Sequence, residues 1–250
     1  MESKNGKAAT RAKNKYNSNN YDRINVLIPK GHKPDILAVA EAAGDSLNGY
    51  ITKAISERIL REEHQTSKRY TIIGGINGTG KSSFTGVLRT QSVDLGTVID
   101  VDRITADAGV LPIEGGKIAL RCIAECFEND KSFTQETTLA GYRTLKTALI
   151  AKEKGYYISM FYIGLDTVEE CLERIENRVA RGGHKIDEKD VRRRFSDRWK
   201  AVKKILPLCD EAFFFDNGNG FAEVAEYVNG EFIYKCEIHP KWLKELCESD

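Results

Sequence analysis

The residues of this chain best suited to chemistry form one run, GINGTGKS, at positions 75–82, which fits G-x-x-x-x-G-K-[ST] at every fixed position. Backbone N–H groups in such a run turn inward around phosphate, and the following helix points its positive end at the same anion. Lys81 would reach the β- and γ-phosphates, and the Ser82 hydroxyl would bind Mg²⁺. A chance glycine turn is the alternative, but the apolar run before it and the intact Gly-Lys-Ser favour a nucleotide site. We therefore predict a site for ATP or GTP with Mg²⁺, formed by Gly75, Asn77, Gly78, Thr79, Gly80, Lys81, Ser82 and Ser83.

Carboxylates and hydroxyls end the next two apolar runs. Asp100 and Asp102 follow the second run, where a carboxylate can take a proton from an attacking hydroxyl or orient Mg²⁺ through water. Asp100 could equally cap the end of a strand. Glu136 and Thr138 end the third run and are suited to holding a hydroxyl-rich acceptor, although a self-satisfied turn is the alternative.

A third set of candidate residues is basic. Three arginines, spaced to share one helix face, precede Gly182-Gly183, and a second helical stretch beyond the glycines carries three more. A solvated charge run is the usual interpretation of such a stretch. Glycines between two arginine-bearing helices instead predict a lid that closes cationic groups over a polyphosphate. The arginines are Arg174, Arg178 and Arg181 before the glycines, and Arg192, Arg193 and Arg194 after them.

Alternating strand and helix patterns must position these residues. They predict an α/β fold with a parallel sheet, helices on both faces and ligands at the carboxyl ends of the strands. The predicted strands after the phosphate-binding run are 97–101, 132–137, 156–163 and 211–215, and the helices are 117–127, 145–154 and 168–180. The tail predicts an added edge strand at 231–238 and a short helix at 240–247.

Composition indicates two joined modules. Residues 1–62 carry 11 Lys/Arg against 7 Asp/Glu, whereas residues 63–250 carry 27 against 30. The six cysteines form no CxxC pair, and no apolar run is long enough to span a membrane, so we expect a cytoplasmic protein. We predict a disordered basic arm at 1–20, a small module at 21–62, a linker at 63–68 and a catalytic domain at 69–250.

The small module begins with a short alternating run at 23–29. Ile24, Val26 and Ile28 share one face of the predicted strand, and Arg23, Asn25 and Leu27 share the other. Two helices follow, one starting near Pro34 and ending before Gly44, the other starting at Asp45 or Ser46. One strand and two helices bury too little surface to fold alone, so the sequence predicts a homodimer.

These 40 residues, YDRINVLIPKGHKPDILAVAEAAGDSLNGYITKAISERIL, resemble the ribbon-helix-helix family of antitoxins and small repressors. In that family two strands pair antiparallel in the major groove of DNA. The resemblance implies that Arg23, Asn25 and Leu27 face bases. A dimerisation module without DNA binding is the alternative.

The larger part resembles the zeta-toxin family of P-loop kinases through GINGTGKS, IDVD, QETTL, RVARGGH with RRRF, and FFFDN. The resemblance implies ATP-dependent phosphorylation of a UDP-N-acetylamino sugar at its 3′-hydroxyl. It implies Asp102 as the base and Glu136 and Thr138 as acceptor contacts, with Arg178 or Arg181 and Arg193 or Arg194 holding the transferred phosphate. Ala140 departs from the family, which carries an arginine there.

The sequence thus predicts a kinase fused to a ribbon-helix-helix module. An NTP-hydrolysing switch attached to a repressor is one rival, and an autoregulator with an inert kinase half is another. A hydrolase needs only a group that positions water, whereas Asp102, Glu136 and Thr138 outline a pocket for a second substrate. Intact Lys81, Ser82 and Asp102 argue against an inert kinase.

Overall fold

The structure is a computed structural model that describes residue 22 and residues 24–66, 68–183 and 185–248. The chain divides into two compact units, Met1–Glu63 and His64–Asp250. The predicted arm at 1–20 and the predicted base-reading residue Arg23 lie outside the described residues. Of the helices described, none is both long enough and apolar enough to cross a membrane.

The N-terminal unit contains the helix α1 at Lys33–Ala42 and most of the helix α2, which spans Leu47–Thr66. Pro34 lies in the first turn of α1, where its missing N–H costs nothing. Gly44 has φ +71° and separates the two helices, as the sequence predicts. Helix α2 continues to Thr66, so most of the predicted 63–68 linker is helical. Its Arg, Glu and Gln residues favour helix even without apolar neighbours.

Residues 24–29, the described part of the strand predicted at 23–29, have no regular structure. A single strand gains its hydrogen bonds only from a neighbouring strand, and the described chain offers it none. Ile24, Val26 and Ile28 are 74, 54 and 41% exposed. The apolar row that the sequence assigns to a dimer core is therefore open to solvent in the single chain.

The C-terminal unit is built on a seven-stranded sheet, and its parallel part confirms the predicted α/β fold. The strand order is β2-β3-β1-β4-β5-β6-β7, with β1 to β5 parallel and β6 and β7 antiparallel. The strands are β1 at Arg69–Gly74, β2 at Thr97–Asp100, β3 at Phe133–Thr137, β4 at Tyr157–Gly164, β5 at Glu211–Asp216, β6 at Ala222–Val228 and β7 at Glu231–Tyr234. Strand β6 was not predicted, although the Asn229-Gly230 turn between β6 and β7 is a hairpin signal.

Helices cover both faces of this sheet. They are α3 at Lys81–Thr90, α4 at Val101–Ala108, α5 at Pro112–Glu128, α6 at Arg143–Glu153, α7 at Val168–Ala180, α8 at Glu188–Ile205 and α9 at Lys241–Glu248. The larger core packs α5, α6, α8 and α9 against one face, through residues such as Ile72. A smaller core packs Phe84 and Leu88 of α3 against Ile73 on the opposite face. Neighbouring residues of β1 thus enter different cores, as strand alternation requires.

Candidate active site

The phosphate loop, residues 75–82, connects β1 to α3 and depends on its glycines. Gly75, Gly78 and Gly80 have φ angles of +144°, +90° and +97°. A Cβ atom on Gly75 would lie 2.5 Å from the Ile163 carbonyl oxygen, and one on Gly78 would lie 2.4 Å from the Cys171 carbonyl oxygen. The loop therefore packs directly on the backbone of its neighbours, in a conformation open to glycine and strained for other residues.

Lys81 begins α3 and points back across the loop. Its ammonium group donates a 3.0 Å hydrogen bond to the Ile76 carbonyl oxygen. Burial lowers the pKa of Lys81, while the nearby carboxylates, chiefly Glu136, act in the opposite direction. Bound phosphate would add negative charge at this position and favour the protonated ammonium further.

Glu136 lies at the carboxyl end of β3 and contacts the phosphate loop. Its Oε2 accepts a 2.8 Å bond from the Ser82 hydroxyl, and its Oε1 accepts a 2.6 Å bond from the Thr85 hydroxyl. The side chain is buried, opposite Asp100 on β2 in the sheet register. Glu136 thus lies beside the serine that was predicted to bind Mg²⁺, whereas the zeta-toxin resemblance makes it an acceptor contact.

Ser82, Glu136 and Asp100 supply oxygen atoms, the ligands that Mg²⁺ prefers. Mg²⁺ binds few protein groups directly and keeps several waters, so one hydroxyl with nearby carboxylates is an appropriate set beside nucleotide phosphates. These side chains fit a nucleotide-bound Mg²⁺, with Ser82 closest to the loop that would hold the phosphates.

The two aspartates after β2 have different environments. Asp100 caps α4, because its Oδ1 accepts a 2.9 Å bond from the Asp102 backbone N–H. Burial raises the pKa of Asp100, and the charges of Glu136 and Asp102 raise it further. Asp102 is exposed in the first turn of α4. The capping interpretation of Asp100 is confirmed, and Asp102 remains the carboxylate open to a substrate.

The predicted lid arginines lie in three different places. Arg178 and Arg194 line the cleft beside the phosphate loop, and Arg194 donates a 2.6 Å bond to Asn77 Oδ1 within that loop. Arg193 instead forms a 2.9 Å ion pair with Asp190 on the exposed face of α8. Arg181 lines an adjoining groove of about 510 Å³ with Gly182 and Gly183.

Sequence reasoning gave no site role to Asn217, which holds the cleft together with the predicted lid residue Arg174. Asn217 follows β5 and donates a 2.8 Å bond from Nδ2 to the Thr79 carbonyl oxygen, which ties the end of β5 to the phosphate loop. Arg174 of α7 donates a 2.6 Å bond to the Asn217 carbonyl oxygen. The FFFDN run ending at Asn217 was the available signal, since it places a polar side chain at a strand's carboxyl end.

The cleft over the phosphate loop has a volume of about 630 Å³. It brings together the predicted nucleotide, base and acceptor residues, because the parallel strands all end at this edge of the sheet. Its lining residues include Asn77, Gly78, Gly80, Lys81, Ser82, Ser83, Asp100, Asp102, Glu136, Thr138, Ala140, Arg143, Arg174, Arg178, Arg194 and Asn217. Gly75 and Thr79 are not among the lining residues of the cleft and shape the loop from beneath it.

Sheet order, phosphate loop and flanking helices define the class: the C-terminal unit has an α/β fold of the P-loop type, with the phosphate loop between the first strand and the helix that follows it. A chain in the crystal structure of AvrRxo1-ORF1:AvrRxo1-ORF2 with sulphate ions superposes with a TM-score of 0.55 at 16% identity. That match covers 74% of this chain and 64% of the other, so this chain spans just under two thirds of its neighbour. The structure of AvrRxo1-ORF1 and -ORF2 with ATP gives a TM-score of 0.52 at 14% identity, covering 84% of this chain and 76% of that one. At these identities the likeness concerns the fold alone.

No family model matches the sequence. An uncharacterized protein of Haemophilus influenzae is 35% identical over 127 residues, which cover 48% of this chain and 88% of that protein. The chain therefore belongs to the same family as this H. influenzae protein.

Proposed function

We propose that the C-terminal unit is a kinase that transfers the γ-phosphoryl group of ATP to a hydroxyl of a UDP-N-acetylamino sugar or a similar acceptor. One observation carries the proposal: an exposed carboxylate, Asp102, shares the 630 Å³ cleft with Lys81 and Ser82 of the phosphate loop. A nucleotide-binding switch needs no such group facing a second pocket, whereas phosphoryl transfer to a hydroxyl uses one.

The chain's own residues would act in a single displacement. Asp102 accepts the proton of the acceptor hydroxyl while the oxygen of that hydroxyl forms a bond to the γ-phosphorus. The bond between the γ-phosphorus and the β–γ bridging oxygen breaks at the same time, which releases ADP. Lys81, Arg178 and Arg194 offset the charge of the phosphate oxygens. Mg²⁺, held at Ser82 with Glu136 and Asp100 nearby, would neutralise further phosphate charge when bound.

The experiment is an incubation of the full chain with ATP, Mg²⁺ and UDP-N-acetylglucosamine, and in parallel with a metabolite extract, read by mass spectrometry. A molecule that gains one phosphoryl group supports the kinase. ATP turnover that yields only inorganic phosphate would instead support the NTP-hydrolysing switch. The Asp102→Asn variant is the matched control, because it keeps the shape of the side chain and loses its basicity.

We also propose that residues 21–62 form a ribbon-helix-helix homodimer that binds DNA. The support is the exposed apolar row of Ile24, Val26 and Ile28, which a second strand would cover. Arg23 and Asn25 would then read bases, and Leu27 would contact a thymine methyl. The antitoxin-like role of this module beside a toxin-like kinase rests on the sequence resemblance to the ribbon-helix-helix and zeta-toxin families.

Sedimentation of the full chain and DNA binding at several salt concentrations test the second proposal. We expect a dimer whose DNA affinity falls as salt rises, and a loss of about 1–3 kcal/mol on Arg23→Ala if this arginine contacts a guanine. A monomer at micromolar concentration would refute it. A dimer without affinity for DNA would leave dimerisation alone as the role of the module.

A further inference from the structure

We propose that Arg143 is the acceptor-recognising residue of the cleft, and that its guanidinium binds the diphosphate of the proposed acceptor. This inference rests on the proposed kinase activity. It assigns a role to a residue that neither the sequence motifs nor the resemblance singles out.

The cationic residues that line the cleft fall into groups according to which strand comes before them in the chain. Arg174, Arg178 and Arg194 come from α7 and α8, which follow β4 in the chain, and Lys81 comes from the phosphate loop. These residues line the cleft around the phosphate loop, where the ATP phosphates would bind. Among the described lining residues, Arg143 is the cation that follows β3, on the far side of the phosphate loop from β4.

The proposed base lies on the same side as Arg143. Asp102 follows β2, and β2 is the neighbour of β3 at this edge of the sheet. The wall between them carries Thr138, whose hydroxyl group suits a polar acceptor. An acceptor whose hydroxyl meets Asp102 would therefore extend along β3 toward Arg143.

The surroundings of Arg143 leave its guanidinium available to a ligand. Its side chain is exposed, and in the described part of the chain no carboxylate forms an ion pair with it. Arg143 is the first residue of α6, and a Cβ atom on Gly116 of α5 would lie 3.3 Å from its Nη1 atom. The glycine thus gives the guanidinium room to lie against α5 at the mouth of the cleft.

The neighbouring side chains define what an acceptor would find here. Ala140 lines the same wall and offers only a methyl group. Thr137 is already bonded, since its Oγ1 lies 3.0 Å from Thr144 Oγ1 and accepts a 3.0 Å bond from the Leu139 N–H. A guanidinium matches phosphate oxygens with two parallel donors, so an anionic group is the ligand this wall recognises best.

The first experiment separates candidate acceptors by charge, before any variant of Arg143 is measured. A neutral-pH metabolite extract is divided on an anion exchanger, and both fractions are incubated with the full chain, ATP and Mg²⁺. We expect the phosphorylated product only in the fraction that bound the exchanger. Product formed only from the unbound fraction would overturn the inference and leave the kinase standing. Absence of product from both fractions would overturn the proposed kinase, and this inference with it.

The acceptor found in this way is then titrated against variants. Arg143→Ala should raise the acceptor KM by about 10- to 100-fold, the scale of lost charge-assisted hydrogen bonds, with the KM for ATP unchanged. Arg143→Lys should recover part of the loss, and Gly116→Ala should raise the acceptor KM by displacing the guanidinium. Lys146→Ala, an exposed cation on the same helix outside the cleft, is the control and should change neither KM. An acceptor KM that stays at the wild-type value in Arg143→Ala would refute the assignment.

Discussion

Replacing Glu136 by glutamine tests whether this residue serves Mg²⁺ or the acceptor. The carboxylate accepts hydrogen bonds from Ser82 at 2.8 Å and from Thr85 at 2.6 Å. Glutamine keeps the length of the side chain and one oxygen, but it removes the negative charge. If Glu136 orients Ser82 and the Mg²⁺ hydration shell, the variant should weaken binding of Mg²⁺·ATP and spare binding of ATP alone.

The magnitude follows from the bonds that change. A hydrogen bond to an ionised group contributes about 1.5–3 kcal/mol and a neutral one about 0.5–1.5 kcal/mol, so each of the two bonds loses about 1–1.5 kcal/mol. Only the Ser82 bond lies at the predicted metal position, so Mg²⁺·ATP should bind about tenfold more weakly. Without Mg²⁺ the affinity for ATP should stay equal or rise, because one negative charge near the triphosphate is gone.

Titration calorimetry with ATP, once with Mg²⁺ and once with a chelator, gives both affinities. Thr138→Val is the matched control, since Thr138 lines the cleft one residue beyond β3 and has no contact with Ser82 in the described structure. It should leave both ATP affinities unchanged. If Glu136→Gln binds Mg²⁺·ATP like the wild type and raises the acceptor KM instead, the metal-side reasoning fails, and the acceptor contact implied by the zeta-toxin resemblance holds.

Two further predictions concern the lysine and the aspartates. Lys81→Ala should weaken ATP binding in calorimetry. Asp102→Asn should leave ATP binding near normal and lower kcat by about 100-fold or more. Wild-type turnover in the Asp102→Asn variant would exclude Asp102 as the base. The pKa of Asp100 is raised in the folded state, so the folded protein binds this proton more tightly than the unfolded chain does. The contribution of Asp100 to stability therefore falls as the pH rises from its unfolded-state pKa through its folded-state pKa. Asp100→Asn keeps a good helix cap without the charge, so it should raise the Tm at neutral pH and leave it unchanged at pH 3. Asp100→Ala should lower the Tm because the cap is lost. A lower Tm for the asparagine variant at neutral pH would contradict this prediction.

Much of the fold could be predicted because its signals are local. The phosphate loop follows from Gly75 to Ser82 in their order, and helix α7 begins and ends where the sequence pattern places it. Strand β6 escaped prediction because a β-bulge at Val224 breaks the two-residue alternation. Val224 and its neighbour Ala225 are both buried, and the glutamates on either side of them interrupt the apolar run. The predicted strand at 23–29 depends on a partner edge, which no pattern within one chain can supply.

The sequence by itself determined the phosphate loop, the alternation of the parallel strands β1 to β5 with helices, and the set of acidic, hydroxyl and basic residues available to a site. Only the tertiary structure decided which of them meet. It placed Glu136 on Ser82, tied Asn217 to Thr79, and separated Arg194 in the cleft from Arg193 on the surface. The reason is that these residues are far apart in the sequence and come together only through the order of the strands and the direction in which each helix face points. The spacing of residues within one helix or strand carries no information about strand order or helix direction.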